Sequence, residues 1–151
     1  AEDFTFGADV PAERYTVPIG KANVVREGTD LTLVTLSGTV APSLTAAEQA
    51  KASGISVEVI DLRSVVPLDI DTVASSVNKT GKILVVDEDY LSFGLSAEVV
   101  TRLLERKISI KSVKRLAVPD VPIPGALSLE REIVPNQESI GAAIAETVGK
   151  L

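Results

Sequence analysis

The chain has 151 residues, 45% of them hydrophobic and 24% charged, and a formal net charge of −6. That length is one domain, with enough chain to bury about 70% of its unfolded surface and own a full core. It has no Cys, His, Met or Trp, which excludes disulfides, thiolate nucleophiles, zinc fingers, His or Met haem ligation and Ser-His-Asp triads. No apolar run approaches the roughly 20 residues of a membrane helix, and no basic, apolar leader is read at the start. The acidic balance disfavours general nucleic-acid binding. Position 1 is not Met, so a fragment or a processed chain is expected.

The first 20 residues read as an irregular linker, broken by Pro11 and Pro18, whose Phe4, Phe6 and Tyr15 pack on something. A hairpin is expected next: a strand over 22–25, a turn at 26–30 containing Gly28, and a strand over 31–36. Pro42 suits the first turn of a helix running to about Ala52, with Gly54 as a left-handed stop. A strand over 56–61 follows. Pro67 and Asp69 open a helix that ends near Thr80, with Gly81 at its stop. The third repeat is a strand over 82–87 and a helix over 96–106. A strand over 112–118 leads into a long extended connection holding Pro119, Pro122, Pro124 and Pro135. The last helix covers 137–148. Strands alternating with helices of this length imply right-handed βαβ units and a mostly parallel sheet.

In an open α/β sheet, ligands bind beyond the carboxyl ends of the strands. Here those ends carry Ser37-Gly38-Thr39, Asp61-Leu62-Arg63, Asp87-Glu88-Asp89 and Asp120. Such an acidic edge offers oxygen ligands to a hard cation. The same residues equally serve as helix caps and turn formers, with a Glu88–Arg63 pair bridging two loops. Ser92-Phe93-Gly94 before a helix offers N–H groups to an anion; it is also a plain helix entry with Phe93 in a core or an interface. Residues 102–115 hold six of the chain's fifteen basic residues against one acid, Glu105. That is either an anion-binding patch or a helix whose basic end suits its dipole. No Walker or dinucleotide glycine pattern occurs. Composition and spacing therefore describe an α/β domain without a legible active site.

Several segments carry a family resemblance when taken together. They are Tyr15-Thr16-Val17-Pro18-Ile19-Gly20-Lys21-Ala22, residues 24–34, Val59-Ile60-Asp61-Leu62-Arg63 with Pro67-Leu68-Asp69, Val85-Val86-Asp87-Glu88 with Gly94 and Ala97-Glu98-Val99, and Val118-Pro119-Asp120 with Pro122-Ile123-Pro124 and Leu129-Glu130. In this order they resemble the C-terminal domain of the beta subunit of thiamine-diphosphate-dependent 2-oxo acid dehydrogenases (pyruvate, branched-chain or acetoin type), also called the transketolase C-terminal domain. An aromatic that many relatives carry near Gly125 is missing, and residues 89–93 depart from the usual Gly-rich or Pro-containing loop.

The resemblance implies a three-layer α/β/α fold with a mixed, mostly parallel sheet of about five strands, one of them antiparallel. It implies that residues 15–151 form the domain and that residues 1–14 link it to a missing pyrimidine-binding domain. The parent enzyme uses thiamine diphosphate and magnesium, which this chain alone is not expected to bind, so no catalytic, cofactor or metal residue is assigned. The implied partners are the alpha subunit, a second beta subunit and the subunit-binding domain of the dihydrolipoyl acyltransferase, with no nucleic acid and no membrane. The implied location is the cytoplasm, or the mitochondrial matrix in a eukaryote. Asp61, Arg63, Asp69, Glu88, Phe93, Asp120 and Leu151 are the candidates for shaping loops or interfaces. Two other classes stay open: an independent small-molecule or regulatory domain using the acidic edge, and the C-terminal domain of transketolase or deoxyxylulose phosphate synthase.

Overall fold

The period-two pattern of the strands decides which face each side chain takes. Leu31 and Leu33 turn to one side of the sheet, Thr32 and Val34 to the other. The computed structural model describes residues 11–149. It contains β1 (Asn23–Arg26), β2 (Leu31–Thr35), a 3₁₀ turn (Ser37–Thr39), α1 (Val40–Ala52), β3 (Val57–Asp61), α2 (Ile70–Thr80), β4 (Lys82–Tyr90), α3 (Leu95–Glu105), β5 (Ser112–Val118), α4 (Leu127–Ile133) and α5 (Gln137–Val148). The sheet order is β1-β3-β2-β4-β5. β1 is antiparallel to β3, and every other pairing is parallel. Helices α1 and α5 cover one face, over Leu31, Leu33, Val57, Val59, Leu84 and Val86. Helices α2 and α3 cover the other, over Val34, Ile60, Ile83 and Val85. This is the expected three-layer α/β/α architecture.

The expected hairpin does not form. β1 pairs with β3 and not with β2. The physical reason is that residues 26–30 cross the start of β3 and do not reverse tightly. Thr29 and Asp30 donate their N–H groups to Ser56 O at 3.1 and 2.8 Å, and Ser56 N donates back to Asp30 Oδ2 at 2.8 Å. Gly28 lies so close to β3 that a β-carbon there would stand 2.1 Å from Glu58 N. β3 thus enters between the two strands that sequence alone would pair.

The long connection is also not extended throughout. Residues 127–133 form α4, whose first turn closes through Leu129 N and Glu130 N on Ala126 O, both at 3.0 Å. Pro119, Pro122 and Pro124 lie in the stretch before it, and Pro135 follows it. β4 runs three residues past its expected end, to Tyr90, and its ladder with β5 slips between Val86 and Tyr90. The remaining helices start and stop within about two residues of expectation, including the left-handed glycines Gly54 and Gly81. Of the expected linker, Phe4 and Phe6 lie outside the described residues, whereas Tyr15, Val17 and Ile19 are exposed.

A buried charge breaks the apolar pattern of β3. Glu58, in the middle of β3, is 3% exposed. Its carboxylate bonds the Lys79 ammonium on α2 and accepts from Gly28 N at 3.3 Å. Beside it, Thr32 Oγ1 meets Ser76 Oγ at 2.6 Å and Thr80 Oγ1 at 2.7 Å. Burial raises the Glu58 pKa, but the bonds from Lys79, Ser76 and Gly28 outweigh it and hold the carboxyl below the ordinary glutamate value. Glu58 in turn lifts Lys79 above its usual value. Because the Glu58 carboxyl titrates lower folded than unfolded, its stabilisation is complete above the unfolded value and fades as pH falls through the folded one. Lys79→Met leaves Glu58 buried without its cation, a cost of about 1–3 kcal/mol at neutral pH. Urea denaturation should show that cost shrinking as acid protonates Glu58. A cost unchanged down to about pH 3 would mean that lost packing, not the ion pair, sets it.

Candidate functional site

α1 leaves β2 toward one face, and α3 leaves β4 toward the other. The strand order therefore reverses between β2 and β4, which is where an open α/β sheet holds its ligand. At the β2 end, Thr35 Oγ1 meets Thr39 Oγ1 at 2.6 Å, and Thr39 Oγ1 also donates to Leu36 O at 2.7 Å. The Glu88 carboxylate, from β4, lies against Gly38. A β-carbon on Gly38 would sit 2.2 Å from its Oε1. The protein's own anion thus stands at the entry to α1.

At the β4 end, Asp87 is buried and its two oxygens are divided. Oδ1 accepts from Asp89 N and Oδ2 from Ser96 N, each at 3.1 Å. The N-cap residue of α3 is Gly94, which has no side chain with which to cap. Asp87 supplies the missing acceptor from the strand, nine residues away. Gly94 is required for a separate reason, since a β-carbon there would stand 2.1 Å from Tyr90 O.

The other candidates act in the same manner. Asp69 caps α2 through Thr72 N at 3.3 Å and Thr72 Oγ1 at 2.9 Å, and it also accepts from Ala22 N at 3.0 Å. Burial raises its pKa, but these donors and the charge of Lys21 hold it below the usual aspartate value. Asp120 accepts from Ser92 N at 3.3 Å and Ser92 Oγ at 2.6 Å, which ties the β5 end to the loop after β4. Asp61 Oδ1 accepts from Arg63 N at 3.0 Å.

The expected Arg63–Glu88 bridge is not made. Arg63 Nε faces Asp61 Oδ2 at 3.7 Å, two residues away, and its backbone is left-handed, with φ 56°. β2 lies between β3 and β4, and Glu88 is turned to Gly38. Phe93 is not in a core either: it is fully exposed. Leu151 lies outside the described residues.

Of the N–H groups in the expected anion loop, Ser92 N is already bound to Asp120, and just beyond it Ser96 N is bound to Asp87. The basic segment disperses in the same way. Arg102 pairs with Glu98 at 2.6 Å, Arg106 with Asp71, Lys114 with Glu146, and Arg115 Nη1 donates to Leu91 O at 2.7 Å.

The family resemblance brings thiamine diphosphate and magnesium into question, and the carboxylates of the described residues do not assemble a magnesium site. Among the described residues, no three carboxylates come together in a way that could hold a metal ion. At the edge, Asp61, Asp69, Asp87, Asp89 and Asp120 already accept from the chain's own backbone or hydroxyl groups. Sequence reasoning missed the Glu58–Lys79 pair, although an acid inside an otherwise apolar strand was the available signal. It also missed Asp87 as a remote cap, for which sequence carries no spacing rule.

A family model for the transketolase C-terminal domain matches residues 20–140. The chain belongs to that family. It is 44% identical over 138 residues to the pyruvate dehydrogenase E1 component subunit beta of Bacillus subtilis, covering 90% of this chain and 42% of the relative. It is 42% identical over 146 residues to the same subunit of Staphylococcus aureus, covering 95% of this chain and 45% of the relative. The chain thus spans less than half the length of these curated relatives. Among solved structures, a split-gene transketolase described as an inactive beta4 tetramer superposes with a TM-score of 0.77 at 27% identity, over 86% of this chain and 43% of that one. This transketolase C-terminal domain shares the family's mixed five-stranded sheet and closes its strand ends with its own carboxylates.

Two substitutions separate these roles. Arg63→Ala removes only an exposed local pair and should cost no more than about 0.5 kcal/mol in urea melts. Asp87→Ala strips the α3 entry of its acceptor and should cost about 1–2 kcal/mol. Equal losses for the two would contradict the division of labour drawn here.

Proposed function

We propose that this chain is the C-terminal domain of the beta subunit of a thiamine-diphosphate-dependent 2-oxo acid dehydrogenase, and that it builds subunit contacts and does not carry chemistry itself. In the parent enzyme the reaction is oxidative decarboxylation of a 2-oxo acid, with the acyl group passed to a lipoyl group. Residues 1–14 are then the link from a pyrimidine-binding domain. The partners are the alpha subunit, a second beta subunit and the subunit-binding domain of the acyltransferase. The similarity to pyruvate dehydrogenase beta subunits along 90–95% of the chain supports the parent assignment.

The observation that carries the assembly role is the state of the carboxyl edge. Asp61, Asp69, Asp87 and Asp120 each accept hydrogen bonds from the chain's own N–H or hydroxyl groups. Carboxylates so engaged hold loops and helix entries in place. Large apolar side chains meanwhile stand in solvent, among them Ile19, Val66 and Phe93, as expected where a neighbouring surface is to be covered.

Isothermal titration of the 151-residue chain tests this reading. Heat is expected with the cognate alpha subunit or with the acyltransferase subunit-binding domain, and none with thiamine diphosphate plus magnesium. Tight cofactor binding, or indifference to both proteins, would overturn it.

A further inference from the structure

Phe93 is the most exposed large apolar residue among the described residues, and the chain goes to some length to hold it there. Its backbone is left-handed, with φ 64°, a conformation that bulky residues rarely adopt. Its neighbours are each fastened. Leu91 N donates to Val118 O and Leu91 O accepts from Arg115 Nη1, both at 2.7 Å. Ser92 is bound through N and Oγ to Asp120. Gly94 lies against Tyr90 O. The ring is therefore presented on a loop already fixed to the ends of β4 and β5, which keeps the entropy lost on binding small. Tyr90, the last residue of β4, and Val121 and Ile123, just past Asp120, are further exposed apolar groups at these strand ends.

The charge around this loop selects the kind of partner. Glu88, Asp89 and Asp120 are all exposed acids, and the nearby cation, Arg115, is half-buried with its guanidinium on Leu91 O. A second copy docking by the same face would set one acidic patch against another, since a two-fold contact uses the same patch on both copies. An anionic membrane surface would be repelled for the same reason. A complementary surface has an apolar pocket for the ring and Arg or Lys around it.

We infer that Phe93 is the anchor of a contact with a different polypeptide, one that offers an apolar pocket bordered by basic residues. This rests on the assembly reading above and adds to it the face that is used.

The test uses the 151-residue chain, which closes a core over both faces of its sheet. It is titrated separately into the immobilised cognate alpha subunit and into the acyltransferase subunit-binding domain, at low and at physiological salt. The wild type should bind one of the two, more weakly in salt. Phe93→Ala should weaken that binding at least about tenfold, and Phe93→Trp should restore most of it. Asp89→Lys should weaken it and flatten the salt dependence. Because Phe93 and Asp89 are exposed, the thermal melts of these variants should match the wild type. If Phe93→Ala binds as well as the wild type, this face is not the contact, while the assembly reading stands. If the wild type binds neither protein, both fail. If sedimentation shows a self-associated chain that Phe93→Ala dissociates, the occupant is a second copy and the inference is overturned.

Discussion

Where the chain leaves β1 it must cross the start of β3, and it does so at a separation that admits no side chain at Gly28. The backbone of Gly28 rests on the peptide between Val57 and Glu58, and Thr29 and Asp30, which follow it, bond Ser56. This crossing places β3 between β1 and β2. It makes β1 an antiparallel edge strand and leaves β2 free to pair with β4, and so creates the reversal of strand order beside which Glu88 and Asp87 lie. It also brings Gly28 N to the buried Glu58 carboxylate, so the polar contact under α2 depends on the same approach.

The strand ends share one chemical solution. A helix entry leaves N–H groups without intrahelical partners, and in this domain carboxylates from the strands and loops meet them. Asp69 does this for α2 from its own N-cap position. Asp87 does it for α3 from the neighbouring strand. Asp120 uses the same kind of bond to hold a loop. An edge that would otherwise attract an anionic ligand is thereby filled by internal anions. The Asp120 bonds also hold the surface loop that keeps the Phe93 ring in solvent.

Glu58 and Lys79 raise a different consideration. A buried ion pair seldom adds much net stability over an apolar pair of equal volume, because desolvation offsets the attraction. Its effect is on specificity. Only one register of α2 over the sheet lets Lys79 reach Glu58 while Ser76 and Thr80 reach Thr32. A helix shifted by one turn would bury these groups unpaired, which is costly.

Much of the architecture was legible in the sequence because it rests on local rules. Strands at 31–35 and 112–118 and helices ending near Thr80 and Val148 follow from β-branched runs, proline and glycine punctuation and helix periodicity, each acting within a few residues. The family, too, was legible from short segments in order. What failed was non-local. The hairpin was a fair reading of a strand, a turn and a strand, but it could not include a third strand arriving from 30 residues away to compete for the same hydrogen bonds. Arg63 and Glu88 looked like partners as residues at neighbouring strand ends, yet the intervening β2 separates them. The cap that Asp87 gives to Ser96 obeys no sequence spacing. The residues by themselves determined which segments are strands and helices, α4 excepted, because propensity and periodicity act locally, and their ordered segments carried the family resemblance. Only the tertiary structure decided which strands are neighbours and how each carboxylate is used, because those depend on where distant segments come to lie.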